Sequence, residues 1–295
     1  MIAVLSRSIS IYIFNKCNRF PGRQFKLFIT KADFLIACSF GYFYTNNNFL
    51  MRALITVFMV LFFWNCNSPK PLTAQEIVDN SRSFYGGSLW DNTHLEFQFR
   101  KHRYTLFRKG NQTVYTRSTL TAPKVVDSLF GSGLFRRSVA NQAVALSDSL
   151  QEVYSESVNS VLYFFQIPRV LNDDAVIKER LADIQLQGKK YHTLKITFRQ
   201  HGGGNDFEDE FRYWINTKSF AVDYLAYNYI TDGGGVRFRS VSERFEKFGM
   251  RFQNYTNYKP LQKDTPLDSL PGLFTAKQLI EVSQIDNLQI KKHAL

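Results

Sequence analysis

The side chains best suited to acid–base chemistry or cation binding fall in one short segment. A histidine and four carboxylates occur within ten residues: His201, Asp206, Glu208, Asp209 and Glu210. A carboxylate beside a histidine suits general acid–base catalysis, and clustered oxygens suit a hard cation. The carboxylates lack the regular oxygen spacing of a calcium loop. The pattern therefore favours a solvated turn at a strand edge, with a catalytic or cation site as the alternative.

The two glycine triplets at 202–204 and 233–235 raise the question of a phosphate-binding loop. Neither is followed by a helix whose N-terminal amides would hold a phosphate, so glycine-rich hairpin turns explain them better. No GxSxG, HExxH or CxxC motif occurs, and the three cysteines are Cys17, Cys38 and Cys66. The sequence therefore predicts no catalytic residue, no metal ligand and no cofactor.

A secretory signal is the clearest pattern of the N-terminal region. Met51-Arg52 precedes an apolar run over residues 53–64, and Cys66 follows shortly after it. The run is shorter than the roughly 20 residues that cross a bilayer. This layout predicts a lipoprotein-type signal peptide over 51–65, a lipid anchor on Cys66 and an extended tether over 66–72. Bulky Phe63-Trp64-Asn65 departs from the small residues usual before such a cysteine, and a buried apolar strand or helix is the alternative.

The net positive charge is densest before that signal, because almost no acidic residues occur there. Residues 1–50 carry six Lys or Arg and one Asp, whereas the chain from Cys66 onward carries 30 basic and 24 acidic residues with both signs interleaved. No basic stripe with interleaved aromatic residues stands out, which disfavours nucleic-acid binding. If Met51 is the true start, 1–50 is a doubtful extension from a mis-assigned start; a basic membrane-associating arm is the alternative.

From Thr73 onward the sequence predicts a single domain, 73–292, of antiparallel strands and few helices. Thr73 and Glu76 form a capping-box pattern at the start of a first helix. A second helix, at 147–167, carries apolar residues at three- and four-residue steps. Elsewhere, alternating apolar and polar residues separated by turn signals about ten residues apart predict a meander of about ten strands. The fold class is thus α+β.

Aromatic residues occur on both faces of several strands, which suggests a layer or a cavity on each face. Tyr213 and Trp214 are adjacent, and so are Tyr224 and Leu225. Both arrangements fit a single curved antiparallel sheet, an open half-barrel, with the amphipathic second helix packed in its concave face. Tyr213, Trp214 and Tyr224 are therefore candidate ligand-binding residues.

Alternate turns of a meander lie on the same rim of the sheet. The turns at 201–206 and 232–235 are separated by two strands, so they should lie roughly 10 Å apart. This places four polar residues on one rim beside flexible glycines: His201, Asn205, Asp206 and Asp232. They are candidate contacts for the polar head of a ligand, with ordinary exposed hairpin tips as the alternative.

Several motifs resemble an uncharacterised family of bacterial envelope lipoproteins. They are Tyr85-Gly86-Gly87-Ser88-Leu89-Trp90, Ser157-Val158-Asn159-Ser160-Val161, Tyr213-Trp214, Asp223-Tyr224-Leu225-Ala226-Tyr227 and the glycine triplets, the second preceding Arg237-Phe238-Arg239. The pattern is also similar to the lipoprotein-carrier superfamily, whose half-barrel surrounds a helix and binds lipid tails.

That resemblance implies a monomeric, non-catalytic protein, anchored in the outer membrane on its periplasmic side, that binds or carries an apolar or amphipathic ligand such as a lipid. The alternative is an envelope enzyme of hydrolase or lyase type that uses the His201/Asp206 rim. An aldolase label carried by some relatives implies a (β/α)8 barrel, which is excluded because eight helices cannot be found.

Overall fold

The computed structural model describes residues 70–200, 208–230 and 233–295. The predicted extension 1–50, signal peptide 51–65 and lipid-anchor residue Cys66 lie outside the described residues, and that division of the chain stays a prediction. Pro71–Leu295 form one compact unit. Among the described residues, no helix has both the length and the apolar character needed to cross a membrane.

The first helix, α1, spans Ala74–Phe84 and begins with the predicted capping box. The Thr73 hydroxyl accepts a hydrogen bond from the Glu76 amide, and the Glu76 carboxylate accepts one from the Thr73 amide. Gly86 then turns the chain with φ of 115°. A Cβ there would lie 3.1 Å from the Gly249 carbonyl oxygen, so both the backbone angle and the close approach require glycine. A short 3-10 helix, Gly87–Trp90, leads into the first strand.

The strands, numbered in chain order, form two antiparallel sheets. Sheet A contains β1 (Thr93–Phe99), β2 (His102–Lys109), β3 (Gln112–Thr119), β4 (Val125–Phe130), β5 (Phe135–Val139), β6 (Gln142–Val144) and β15 (Leu288–Lys292). Sheet B contains β7 (Val176–Arg180), β8 (Ile184–Leu186), β9 (Lys189–Phe198), β10 (Phe211–Asn216), β11 (Val222–Tyr229), β12 (Gly235–Lys247), β13 (Met250–Lys259) and β14 (Ile280–Ile285). In most of each sheet, strands that are consecutive in the chain are paired with each other, as the predicted meander requires.

The last two strands connect the sheets. β14 pairs with β13 in sheet B, and after two residues β15 pairs with β1 in sheet A. The edge strands β6 and β7 are not paired with each other within the described residues. The predicted α+β fold with an open antiparallel half-barrel is therefore confirmed. Its strands form two sheets and not the predicted single sheet, because β14 and β15 pair with different sheets and no strand pairing joins sheets A and B within the described residues. The described strands number fifteen and not about ten because several, such as β6 and β8, are only three residues long and too short to show alternation.

The second helix, α2, spans Asp148–Phe165 and packs on the inner face of the half-barrel, as predicted. Val158, Leu162 and Phe165 are buried against sheet A. Leu150 and Val153 belong to the same predicted series of apolar residues at three- and four-residue steps, but they are 44% and 58% exposed. This first part of the helix follows β6, whose three residues are all exposed, so the sheet edge provides little apolar surface for it to cover.

The outer face of sheet B has its own cover. It consists of a 3-10 helix (Leu267–Ser269) that leads into the short helix α3 (Leu270–Thr275). The 3-10 helix Arg169–Asn172, which follows α2, packs instead in the inner cluster with α1. Leu267 and Leu270 pack on the outer face of sheet B, and the Arg212 guanidinium Nε donates to Asp268 at 2.7 Å beside them. Sheet B is thus buried on both faces, which explains its aromatic residues on both sides.

Candidate ligand-binding cleft

A cleft of about 660 Å³ lies between the C-terminal half of α2 and the inner face of sheet B. Residues 159–161 and 163–165 form the helical wall, and strands β9–β14 supply the facing wall. Phe99 and Arg100, at the turn between β1 and β2, border it from sheet A. The cleft therefore lies where the two sheets and the helix meet.

Aromatic side chains form a large part of the cleft lining. Nine aromatic residues line it: Phe99, Tyr163, Phe164, Phe165, Phe198, Phe211, Tyr227, Tyr229 and Tyr255. The ring centroid of Tyr227 lies 5.2 Å from that of Phe164 on the helix and 5.2 Å from that of Phe211 on the neighbouring strand. Most of these rings are only half-buried, so they present apolar surface to the cleft.

The strand register determines which side chains reach this wall. Phe211 pairs with Ile196 on one side and with Tyr227 on the other, and Tyr227 pairs with Arg237. Side chains of paired residues lie on the same face of a sheet. Because Val236 and Phe238 pack into the outer layer, the alternation along β12 directs Arg237 and Arg239 to the inner face.

Arg239 is the most buried arginine of the cleft lining, with 8% of its surface exposed. Its guanidinium carbon lies 3.7 Å from the ring centroid of Phe164, and its Nη2 donates to the Tyr227 hydroxyl at 2.8 Å. Its Nε is buried and has no hydrogen-bond partner in the described part of the chain. None of the described carboxylates forms an ion pair with it.

Two further arginines line the same cleft nearer to solvent. Arg237 is half-buried, and its guanidinium carbon lies 4.9 Å from the ring centroid of Tyr229. Arg100 is exposed and lies over Phe99 at 5.0 Å. The glycine triplet before β12 contributes to this side, because Gly235 has φ of 156° and a Cβ there would lie 3.0 Å from the Tyr229 hydroxyl oxygen. Glycine at 235 therefore leaves room for the Tyr229 ring.

The neutral polar groups of the floor are deeply buried. Burial raises the pKa of the Tyr255 hydroxyl, which therefore remains a neutral phenol. Asn257, 9% exposed, pairs across the strands with Arg239, and its Oδ1 has no partner within the described residues. The floor beside Arg239 thus contains neutral polar groups and aromatic rings.

Four predicted rim residues, His201, Asn205, Asp206 and Asp232, lie outside the described residues. The strands that lead into their two turns end at the cleft, since Phe198 closes β9, Phe211 opens β10 and Tyr229 closes β11. Of the acidic segment, Glu208 is exposed and Asp209 is buried in the cleft lining. Glu210 forms ion pairs of 2.7 Å with Lys195 and with Arg212.

The three predicted aromatic residues occupy different faces of sheet B. Tyr213 is fully buried on the inner face, among the residues packed against α1. Trp214 and Tyr224 lie on the outer face, in the cluster that also contains Phe238 and Leu270. None of the three is part of the cleft lining, and their role in ligand binding stays a prediction.

The arginines of the cleft were not among the predicted site residues. The signal was present, because Arg237 and Arg239 alternate with Val236 and Phe238 directly after a glycine turn. Alternation separates the two faces of a strand but does not tell which face is inside. In a sheet covered on both sides, a face with two arginines can be an inner one.

Fold and cleft together define an open antiparallel half-barrel with an internal helix and an aromatic, arginine-lined cleft. The chain belongs to a family described as "Family of unknown function (DUF6503)", whose model matches residues 52–287. This confirms the predicted membership of an uncharacterised family. A search of the curated proteins finds no match.

Fourteen chains of solved structure are similar to this fold. One is a LolA superfamily protein from Nitrosomonas europaea, with 13% identity, a TM-score of 0.42 and coverage of 76% of this chain and 96% of that one. Another is a DUF1329 family protein from Desulfovibrio piger, with 10% identity, a TM-score of 0.36 and coverage of 75% and 94%. Similarity at this level says nothing about a ligand.

Proposed function

We propose that this protein binds or carries an amphipathic, largely apolar ligand such as a lipid in the cleft between α2 and sheet B, and that it is not an enzyme. The observation that carries the proposal is the cleft itself, about 660 Å³ with nine aromatic side chains in its lining. Pockets for small apolar ligands commonly measure about 300–1,000 Å³ and combine an apolar lining with few polar groups.

The exposed apolar surface supports the same proposal. Phe164, Phe198 and Tyr227 are half-buried, although they lie beside a well-packed core. Each large apolar side chain that is transferred from water is worth about 1.5–3 kcal/mol. A bound apolar chain would supply that burial while leaving the two sheets and the helix in place.

The proposal includes a location in the cell envelope, with the protein anchored to the outer membrane by lipid on Cys66. Its support is the charged start at Met51-Arg52, the short apolar run and the cysteine that follows. We expect the mature native protein to begin at a lipidated Cys66 and Cys66→Ser to release it from membranes. Intact-mass measurement of the native protein tests this. A product that retains residues 1–50, or a membrane-bound Cys66→Ser variant, contradicts it.

Mass spectrometry of lipids extracted from the natively purified protein tests the binding proposal. We expect one amphiphile in near-stoichiometric amount, enriched over the lipids of a control preparation. The membrane anchor would itself retain bulk lipid, so the comparison is best made with Cys66→Ser protein. A lipid content equal to background would speak against a lipid-binding cleft.

A further inference from the structure

Within the described residues, the arginines of the cleft form no ion pair with a carboxylate, unlike most deeply placed arginines elsewhere. Elsewhere in the described residues, such arginines end on an acidic side chain: Arg117 and Arg137 on Asp127, Arg212 on Asp268, and Arg244 on Asp223. Arg108 is buried without a carboxylate, but its three guanidinium nitrogens donate to oxygens of Trp90, Thr113 and Tyr115. Arg239 has neither arrangement.

Arg239 is incompletely bonded for a buried cation. The one hydrogen bond that it makes within the described chain runs from Nη2 to the Tyr227 hydroxyl, and Nε has no partner. A buried charge is unfavourable unless an opposite charge or several hydrogen bonds compensate it. The Phe164 ring at 3.7 Å offsets part of that cost through a cation–π interaction. Because Arg239 lines the cleft and makes one hydrogen bond within the described chain, its remaining N–H donors suit an oxyanion.

The charges of the lining form a gradient from solvent to floor. Arg100 is exposed, Arg237 is half-buried and Arg239 is buried. Against these three cations, the described lining contains one carboxylate, Asp209. A cleft with an excess of positive charge and low-dielectric walls attracts anions and focuses them toward its interior.

We propose that the cleft selects amphiphiles with an anionic headgroup, a carboxylate or a phosphate, and that Arg239 is the counter-ion of that headgroup. This inference rests on the proposed function and specifies its ligand class. A guanidinium binds such groups through two parallel N–H···O bonds, and Arg239 lines the cleft with N–H donors beyond the one that Tyr227 accepts. The aromatic residues of the opposite wall then contact the chain of the ligand.

Calorimetric titration of the delipidated full-length protein with ligands of equal chain length isolates the headgroup. The ligands are decanoate, decyl phosphate, 1-decanol and decyltrimethylammonium, each below its micelle concentration. We expect the two anions to bind at least ten-fold more tightly than decanol, and the cation to bind most weakly.

Two arginine variants locate the effect. Arg239→Gln should lower the affinity for decanoate at least ten-fold, to about that of decanol, and leave decanol binding unchanged. Arg136→Gln is the matched control, because Arg136 is an exposed arginine of β5 that lies over Phe130 and outside the cleft lining. It should leave all four affinities unchanged.

The outcomes separate this inference from the proposed function. Equal affinity of the wild type for decanoate and decanol overturns the anion preference and leaves an apolar cleft. Binding of none of the four ligands overturns the proposed function itself. If inorganic phosphate or acetate binds as tightly as decanoate, the cleft is a site for free anions, and the proposed selection of amphiphiles is contradicted. If Arg239→Gln fails to fold, the affinities of the wild type for decanoate and decanol still test the preference for an anionic headgroup.

Discussion

Asp127 shows how the described part of this chain compensates buried charge where no ligand is involved. Its carboxylate accepts hydrogen bonds of 2.6 Å from both Arg117 and Arg137, and its side chain is 3% exposed. Arg137 also lies 3.5 Å from the ring centroid of Tyr154, and Arg117 donates to Ser157, both on α2. The triad therefore ties β3, β4 and β5 to the helix.

We predict that Asp127→Asn destabilises the fold by about 3 kcal/mol, because it leaves two partly buried guanidinium groups without their shared anion. Burial of the Asp127 carboxyl favours a higher pKa, but the hydrogen bonds from Arg137 and Arg117 outweigh it and the pKa is lowered. A lowered pKa stabilises the folded state above the unfolded value of about 3.9, and that stability is lost as the pH falls through the folded value. Urea unfolding at several pH values measures both effects.

The exposed carboxylate Asp264 provides the control. Asp264→Asn should change the free energy of unfolding by less than about 0.5 kcal/mol. The difference between wild type and Asp127→Asn should shrink as the pH falls below about 4. A pH-independent difference, or equal stabilities at neutral pH, contradicts the assignment.

For single residues, the sequence predicts which of them share a face of the sheet but not what packs against that face. The two-residue period separates Tyr213 from Trp214 and Arg237 from Val236 and Phe238, and the structure keeps each pair on opposite faces. Which face meets the helices depends on packing between segments far apart in sequence. For this reason the candidate residues Trp214 and Tyr224 were grouped with Tyr213, although they lie on the outer face.

Among the elements, α2 links the core to the cleft. Leu162 is fully buried against sheet A, while Tyr163 and Phe164 contact the aromatic residues of sheet B. The predicted helix of 147–167 corresponds closely to the observed Asp148–Phe165. Helix period and caps are local signals, and α1 and α2 could therefore be predicted from the sequence. The exposure of the first turns of α2 could not, because it depends on the length of β6.

We predict that Leu162→Asp destabilises the protein by about 4 kcal/mol or more, because it removes a buried apolar side chain and buries a charge without a partner. Leu150→Asp is the matched control on the same helix, since Leu150 is 44% exposed and lies in the first turn, where an acidic residue is favourable. Its stability should stay within about 0.5 kcal/mol of the wild type. Denaturant unfolding of both variants measures this. Similar unfolding of Leu162→Asp and wild type would show that the helix does not fill the half-barrel.

For the whole molecule, the decisive contacts join the two ends of the described chain. Leu95 in β1 pairs with Lys292 in β15, and this pairing connects the two sheets. No local pattern indicates a partner almost 200 residues away, so the sequence predicts the meanders but neither the joining strands nor the cleft that forms where the sheets meet. The turns at 201–206 and 232–235 were predicted to share a rim, and this stays a prediction because His201, Asn205, Asp206 and Asp232 lie outside the described residues.

The central claim is that this cleft holds an amphiphile, and titration with the fluorescent fatty acid cis-parinaric acid tests it most directly. Ser160 is exposed on α2 and lines the cleft, whereas Ser149 is exposed on the same helix and does not. We expect the wild type and Ser149→Trp to bind the probe with equal affinity, and Ser160→Trp to bind it at least ten-fold more weakly because the indole occupies the cleft. Absence of binding to the wild type, or equal binding by the two tryptophan variants, would contradict the claim.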